Sequence, residues 1–176
     1  MTEGRWYVAY TQPGKEIKVA DLLARKKIKC YCPVNEIDGQ FTHGKKRIFK
    51  PLFPNYIFTH LTDPGQLALK RIPGLISFVY WRGDPAVIGD DEIAAIKYFT
   101  NEYPCVKLEK TPIRQNQNPQ VINASGFLLK GNVPGTNTNT ISVILPTLGH
   151  SLVAEVSPAR FTEVSYFKNE KRDVAV

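Results

Sequence analysis

Arg5-Trp-Tyr-Val-Ala-Tyr-Thr11, then Pro13-Gly14, then Lys15 to Lys27 is the stretch on which the fold turns. The first seven residues are rich in β-formers and stop at a breaker pair, so they read as a strand running into a turn. Beyond the turn the period changes from two to about 3.6. Ile17, Val19, Ala20, Leu23 and Ala24 gather on one helical face, while Lys18, Asp21 and Arg25 gather on another. A strand followed at once by an amphipathic helix predicts a sheet with that helix laid upon it.

Working outward, Cys30 to Asp38 reads as extended and Gly39 to Gly44 as a polar loop. A basic hairpin arm, Lys45-Lys-Arg-Ile-Phe-Lys50, leads through Pro51 and Pro54 into the strand Tyr56-Ile-Phe-Thr-His60. Asp63-Pro64 opens a second helix that stops at Pro73-Gly74, and a strand follows from Ile76 to Trp81. Asp90, Asp91 and Glu92 precede a third helix to about Asn101, where acidic side chains suit the first turn and read as its caps. This order predicts an α+β domain over residues 1–103, an antiparallel sheet with helices mostly on one face. Residues 104–120 have three prolines and the run Arg114-Gln-Asn-Gln-Asn118, which predicts a linker. Glycines and prolines then punctuate short β-prone runs, among them Ile141–Leu145 and Ser151–Val156, so residues 121–164 read as a small all-β barrel. Residues 165–176 read as a tail.

With 176 residues, 43% of them hydrophobic, the chain is long enough for one ordinary core or two small ones. Its 23 basic and 16 acidic residues give a net charge of +7, which favours polyanionic partners or large acidic assemblies. The excess is divided, 15 Lys/Arg against 11 Asp/Glu in residues 1–103 and 8 against 5 in the remainder, so neither part is a basic tail. Three cysteines without a disulfide framework, a start carrying Glu3 and Trp6, and no membrane-length apolar run predict a cytoplasmic protein with no membrane partner.

Alternation puts Tyr56 and Phe58 on one side of their strand, and Ile76, Phe78 and Tyr80 on one side of theirs. Ile57, Val79 and Trp81 point the other way, so both sheet faces are apolar while helices cover only one. The second face then has to meet the C-terminal domain, another copy or a partner. Lys15, Lys18, Arg25, Lys26 and Lys27 on the first helix, with the arm's Lys45, Lys46, Arg47 and Lys50, are candidate phosphate contacts; solvated charge is the plainer reading of any one of them. Cys30 and Cys32 lack a second pair, and His43, His60 and His150 match no zinc spacing, so no metal is predicted and the two thiols read as half-buried packing. There is no phosphate-cradling glycine loop with its lysine, no G-x-S-x-G and no H-E-x-x-H. The chain is expected not to be an enzyme and to need no cofactor.

Trp6-Tyr-Val8 with Tyr10, Pro13-Gly-Lys-Glu16 opening a helix, Pro51-Leu-Phe-Pro-Asn-Tyr-Ile-Phe58 and Ile72-Pro-Gly-Leu-Ile76 follow one another in an order that resembles the NusG family of transcription elongation factors. Asn55 resembles specialised paralogues such as RfaH and the antiterminators of polysaccharide operons, where housekeeping NusG more often has glycine. The resemblance implies a non-enzymatic, operon-specific elongation or antitermination factor that sits on the clamp helices of RNA polymerase and modulates pausing or termination. It implies a clamp-binding aromatic patch at Tyr10, Phe53, Pro54, Tyr56, Phe58 and Phe78, and contact with non-template DNA at Lys18, extended to Arg25. It also implies a KOW-like C-terminal barrel and, for that barrel, a ribosomal protein or Rho as partner. Gly126-Phe127 and Gly131 match its first turn, whereas Asn132–Thr140 replaces the compact family pattern. The poor helix propensity of residues 136–143 predicts a stable barrel rather than a switch to a helical hairpin. The alternative function is a sequence-tolerant nucleic-acid-binding module using the basic helix and aromatic stacking.

Overall fold

The computed structural model describes residues 4–41, 44–62, 71–103, 105–110, 120–122, 126–132 and 139–156. The opening strand, β1 (Arg5–Thr11), is the centre of a five-stranded antiparallel sheet. Its strands run in the order β2 (Cys30–Tyr31), β5 (Tyr56–Leu61), β1, β6 (Leu75–Phe78), with β9 (Val87–Ile88) also pairing β1. Between β2 and β5 stands a two-stranded ribbon, β3 (Val34–Phe41) with β4 (Gly44–Pro51), and between β6 and β9 a short hairpin, β7 (Tyr80–Trp81) with β8 (Asp84–Pro85). The arm's strands run longer than expected, straight through Gly39. The stretch 76–81 breaks at Val79 into two strands, and the tight turn after Trp81 is made by Arg82 and Gly83 at φ 52° and 93°. The expected second helix falls mainly on residues 63–70, outside the described residues.

The first helix, α1 (Glu16–Arg25), buries Glu16, Val19 and Leu23 and closes one face of this sheet. Tyr7, Ala9, Ile57, Leu61, Ile72 and Phe78 complete that core, with Cys30 and Cys32 packed at its edge. Its C-terminus is a Schellman motif: the Lys27 amide donates to the Ala24 carbonyl at 2.9 Å and the Ile28 amide to the Leu23 carbonyl at 3.0 Å. Lys27 takes the left-handed conformation, φ 58°, that the motif demands, and Ile28 packs back into the same core as Leu23.

The other face carries Trp6, Val8 and Phe58, and it is closed by the second described helix, α2 (Asp90–Glu102), through Ile93, Ile96 and Phe99. The two described helices therefore lie on opposite faces, and the expectation of helices mostly on one turns on the second expected helix, which lies outside the described residues. α2 closes this face because its apolar residues at i, i+3 and i+6 form a stripe able to cover a sheet. Asp90, Asp91 and Glu92 occupy its first turn, but Gly89 is the N-cap and makes no side-chain cap. Two of the three carboxylates instead tie α2 to its neighbours: Asp90 Oδ1 accepts the Trp6 indole N–H at 2.8 Å and Glu92 Oε1 accepts the Thr147 amide at 3.0 Å.

A second antiparallel sheet holds β10 (Lys107–Lys110), β14 (His150–Val156), β13 (Asn139–Leu145), β12 (Gly126–Asn132) and β11 (Gln120–Ile122), in that spatial order. Residues 107–110 were expected in the linker; they form a strand because β14 supplies a full ladder from Lys107↔Val153 to Lys110↔His150. Lys-Leu-Glu-Lys by itself carries no strand signal. The turn of β13 to β14 is held against α2 by the Thr147 bond, and Val143, Leu145, Leu152 and Ala154 belong to the same core as Trp6, Phe58 and α2. Among the described residues no helix is long and apolar enough to cross a membrane.

Candidate functional site

β1 and β5 pair so that Tyr10 stands opposite Tyr56, Val8 opposite Phe58 and Trp6 opposite His60. Directly opposed residues share a face, so these six form one continuous aromatic and apolar surface. The Tyr10 and Tyr56 rings meet edge to face at 5.4 Å, and Phe53 meets Phe58 edge to face at 5.2 Å. Each such pair adds about 0.5–1.5 kcal/mol beyond area burial. Tyr31 stacks on Phe58 from β2, with centroids 6.4 Å apart, and its hydroxyl shares a hydrogen bond of 3.2 Å with Thr100 of α2.

Five of the six residues of the implied aromatic patch are thus brought together, and one is not. Phe78 pairs with Ala9, on the opposite face, and packs against Tyr7 at 5.8 Å beneath α1. The remaining five differ in access. Phe58 is 0% and Phe53 4% exposed, both inside the core that α2 closes. Tyr10, Asn55 and Tyr56 are half-buried and Pro54 is exposed. The accessible part of the patch is therefore its rim: Tyr10, Pro54 and Tyr56, with Phe53 and Phe58 as the floor.

The rim is held by a bond no spacing rule reveals. Asn55 has φ 68°, and its amide donates to Glu16 Oε1 at 2.8 Å. Glu16 is buried, the first residue of α1, so its carboxylate locks the Pro54-Asn55 turn to the helix on the far side. The Thr11 amide bonds the Asn55 carbonyl at 2.8 Å, fixing the turn to β1 as well. The signal for Glu16 was a charged residue within the motif Pro13-Gly-Lys-Glu16, on the buried side of the helical wheel.

Lys18 and Arg25 are both exposed on α1. Seven residues separate them, about 10 Å along the axis, and Asp21 stands between them on the same side. Lys29 and Lys97 approach the Trp6 ring at 5.3 and 5.4 Å, and Lys97 also lies 5.2 Å from the Tyr31 ring, a second basic cluster that charge counting alone did not single out. The strongly exposed aromatics lie elsewhere: Trp81 is 71% and Tyr80 58% exposed on the β7–β8 hairpin, Tyr98 is 58% exposed on α2 and Phe49 51% on β4.

The cysteines are free. Burial pushes the Cys32 thiol up to about 12, with Glu16 and Cys30 adding to the shift, and burial likewise raises Cys30, assisted by Asp21. Both remain protonated at neutral pH, and Cys30 donates to the Ala20 carbonyl at 3.5 Å. Among the described residues no three His, Cys, Asp or Glu side chains converge on a metal-sized site.

A solved structure of Thermotoga maritima NusG, concerned with domain interaction in that protein, is similar at 20% identity. The match covers 88% of this chain and 93% of that one, with a TM-score of 0.49. The family model for transcription termination factor NusG matches residues 4–97, a span that contains β1, α1, the ribbon, the aromatic rim and most of α2. On that match, covering more than half of its length, the chain belongs to the NusG family.

Proposed function

We propose that the protein is a non-enzymatic transcription factor that docks on the clamp helices of RNA polymerase and modulates pausing or termination. Family membership carried by residues 4–97 is the observation that supports this reading most strongly. The geometry adds a rim of Tyr10, Pro54 and Tyr56 on a rigid floor of Phe53 and Phe58. Aromatic side chains with few rotamers, anchored from beneath, suit an interface hot spot because little side-chain entropy is lost on docking. Phe78 serves the fold in this reading, not the interface.

Lys18 and Arg25 we assign to the non-template DNA strand, a contact made with the polymerase already bound. The second sheet, with β10 included, we read as the KOW-like unit, and a ribosomal protein or Rho as the class of partner it would take. Asn55 supports a specialised, operon-specific paralogue only in part, since glycine and asparagine both accept its positive φ. The setting is the cytoplasm, where the three free thiols persist.

Single-round transcription by the polymerase of the source cell, on a template with a strong pause and a terminator, tests the function. Saturating protein is expected to change pause lifetime or termination efficiency severalfold. Unchanged kinetics, with the protein bound to the elongation complex, would sink the proposal.

A further inference from the structure

Phe53-Pro-Asn-Tyr56 is a tight turn in which the Tyr56 amide donates to the Phe53 carbonyl at 3.2 Å, with Pro54 second and Asn55 third at φ 68°. Proline at the second position and a positive φ at the third mark a type II turn. Types I and II differ by a flip of the central peptide, here the one joining Pro54 to Asn55. An asparagine left to itself has the type I alternative open, with its φ negative and no left-handed strain. Something must therefore hold the central peptide in the type II orientation. The amide of that same peptide is the one Glu16 takes: the Asn55 N–H donates to Glu16 Oε1 at 2.8 Å.

Glu16 is not placed as a capping acid would be. It opens α1, where a carboxylate ordinarily serves the helix's own free amides or, from solvent, its dipole. Here it is buried and directs its bond to a peptide 39 residues away. Burying a carboxylate is costly unless it is hydrogen-bonded, so the bond to Asn55 matters to Glu16 as well. The next peptide of the turn is held from the other side, with the Thr11 amide donating to the Asn55 carbonyl at 2.8 Å. Thr11 is wholly buried and ends β1, one residue past Tyr10. Both peptides of Asn55 are thus pinned, one to α1 and one to β1. The groups on either side of it, exposed Pro54 and the Tyr56 ring set against Tyr10 at 5.4 Å, take their places from this turn.

We propose that Glu16 is a positioning residue of the docking site: its reach to the Asn55 amide selects the type II turn that presents Tyr10, Pro54 and Tyr56 as one surface. The inference rests on the docking function proposed above and concerns how that site is built. The length of the side chain matters, not its charge. Glutamine carries a carbonyl oxygen to the same place and accepts the same bond. Aspartate keeps the charge and the position in the first turn but falls short by one methylene, about 1.5 Å. Glu16→Gln and Glu16→Asp therefore separate this role from that of a charge at the helix N-terminus, which aspartate fills equally well.

The test is solution NMR of the full chain, read together with its affinity for core RNA polymerase. In a type II turn the Pro54 Hα lies close to the Asn55 amide hydrogen, and in a type I turn it lies far from it, so the nuclear Overhauser effect between them reports the turn type. The parent and Glu16→Gln are expected to show it strongly, with Asn55 amide exchange rates within about threefold of each other. Glu16→Asp is expected to lose it, with exchange faster by about tenfold or more. Polymerase affinity should follow the same order, roughly tenfold weaker for Glu16→Asp and within about twofold of the parent for Glu16→Gln. Urea unfolding checks that both variants fold. A strong effect in Glu16→Asp, its loss in Glu16→Gln, or a changed turn with unchanged affinity would overturn the proposal. So would failure of Glu16→Asp to fold, since Glu16 would then serve the fold and not the turn. If the parent itself does not bind polymerase, the docking function falls, and the NMR comparison still decides whether Glu16 sets the turn.

Discussion

Asn55 shows how one backbone angle organises the site. With φ at 68° its conformation is one that β-branched residues avoid, at a cost of about 1–2 kcal/mol. Asn55→Val is therefore expected to destabilise the fold by about that amount in urea unfolding, and Asn55→Gly to stay within about 1 kcal/mol of the parent. Equal losses for the two would mean that the side chain, not the angle, matters. The motif around Asn55 was legible as a motif, yet its bond to Glu16 was not, because residues 39 apart meet only once α1 lies on the sheet. Cys32 makes a separate point about burial. Its thiol is raised to about 12 in the fold from an ordinary value near 9, so the folded state holds the proton where the unfolded chain has begun to lose it. The stability this contributes is complete below pH 9 and is lost progressively as pH rises towards 12. Cys32→Ala should flatten the decline of stability between those limits, and an identical decline in parent and variant would contradict the assignment.

At the level of elements, α2 decides how the sheet is closed. Its buried stripe, Ile93, Ile96 and Phe99, lies in the core that holds Trp6 and Phe58, while Tyr98 points to solvent. Ile96→Ala should cost about 2–5 kcal/mol of unfolding free energy and Tyr98→Ala about 0.5 kcal/mol or less. Similar values for both would show that α2 does not cover this face. Strand and helix types were readable because their periods are local: β1, α1, β5 and α2 stand within a residue or two of expectation. The face of Phe78 was not, since alternation along one strand fixes relative sides only and the pairing Phe78↔Ala9 fixes the absolute one. Lys107–Lys110 was unreadable for a related reason, its strand being imposed by β14 from 40 residues and more along the chain.

Across the whole molecule, α2 is the joint. It covers the face of the first sheet that sequence alone had left open, and its Glu92 accepts the amide of the turn between β13 and β14 in the second sheet. The apolar surplus of that face was legible, with the C-terminal domain among the covers expected for it; the share taken by α2 was not, because α2 has to be assigned to a side before the surplus can be counted. One consequence concerns how the docking surface should be probed. Phe58→Ala would hollow a shared core and lose about 3–5 kcal/mol of stability, so a failure to bind would say little about contact. Tyr10 and Tyr56 are half-buried rim residues, and changing them reports on the surface itself. The most direct measurement is therefore the affinity of the full chain for core RNA polymerase, compared with a Tyr10→Ala/Tyr56→Ala variant whose fold has been checked by circular dichroism. Specific binding by the parent, weakened roughly tenfold or more in the folded variant, is the predicted result. A parent that fails to bind, or a folded variant that binds as tightly as the parent, would contradict the account.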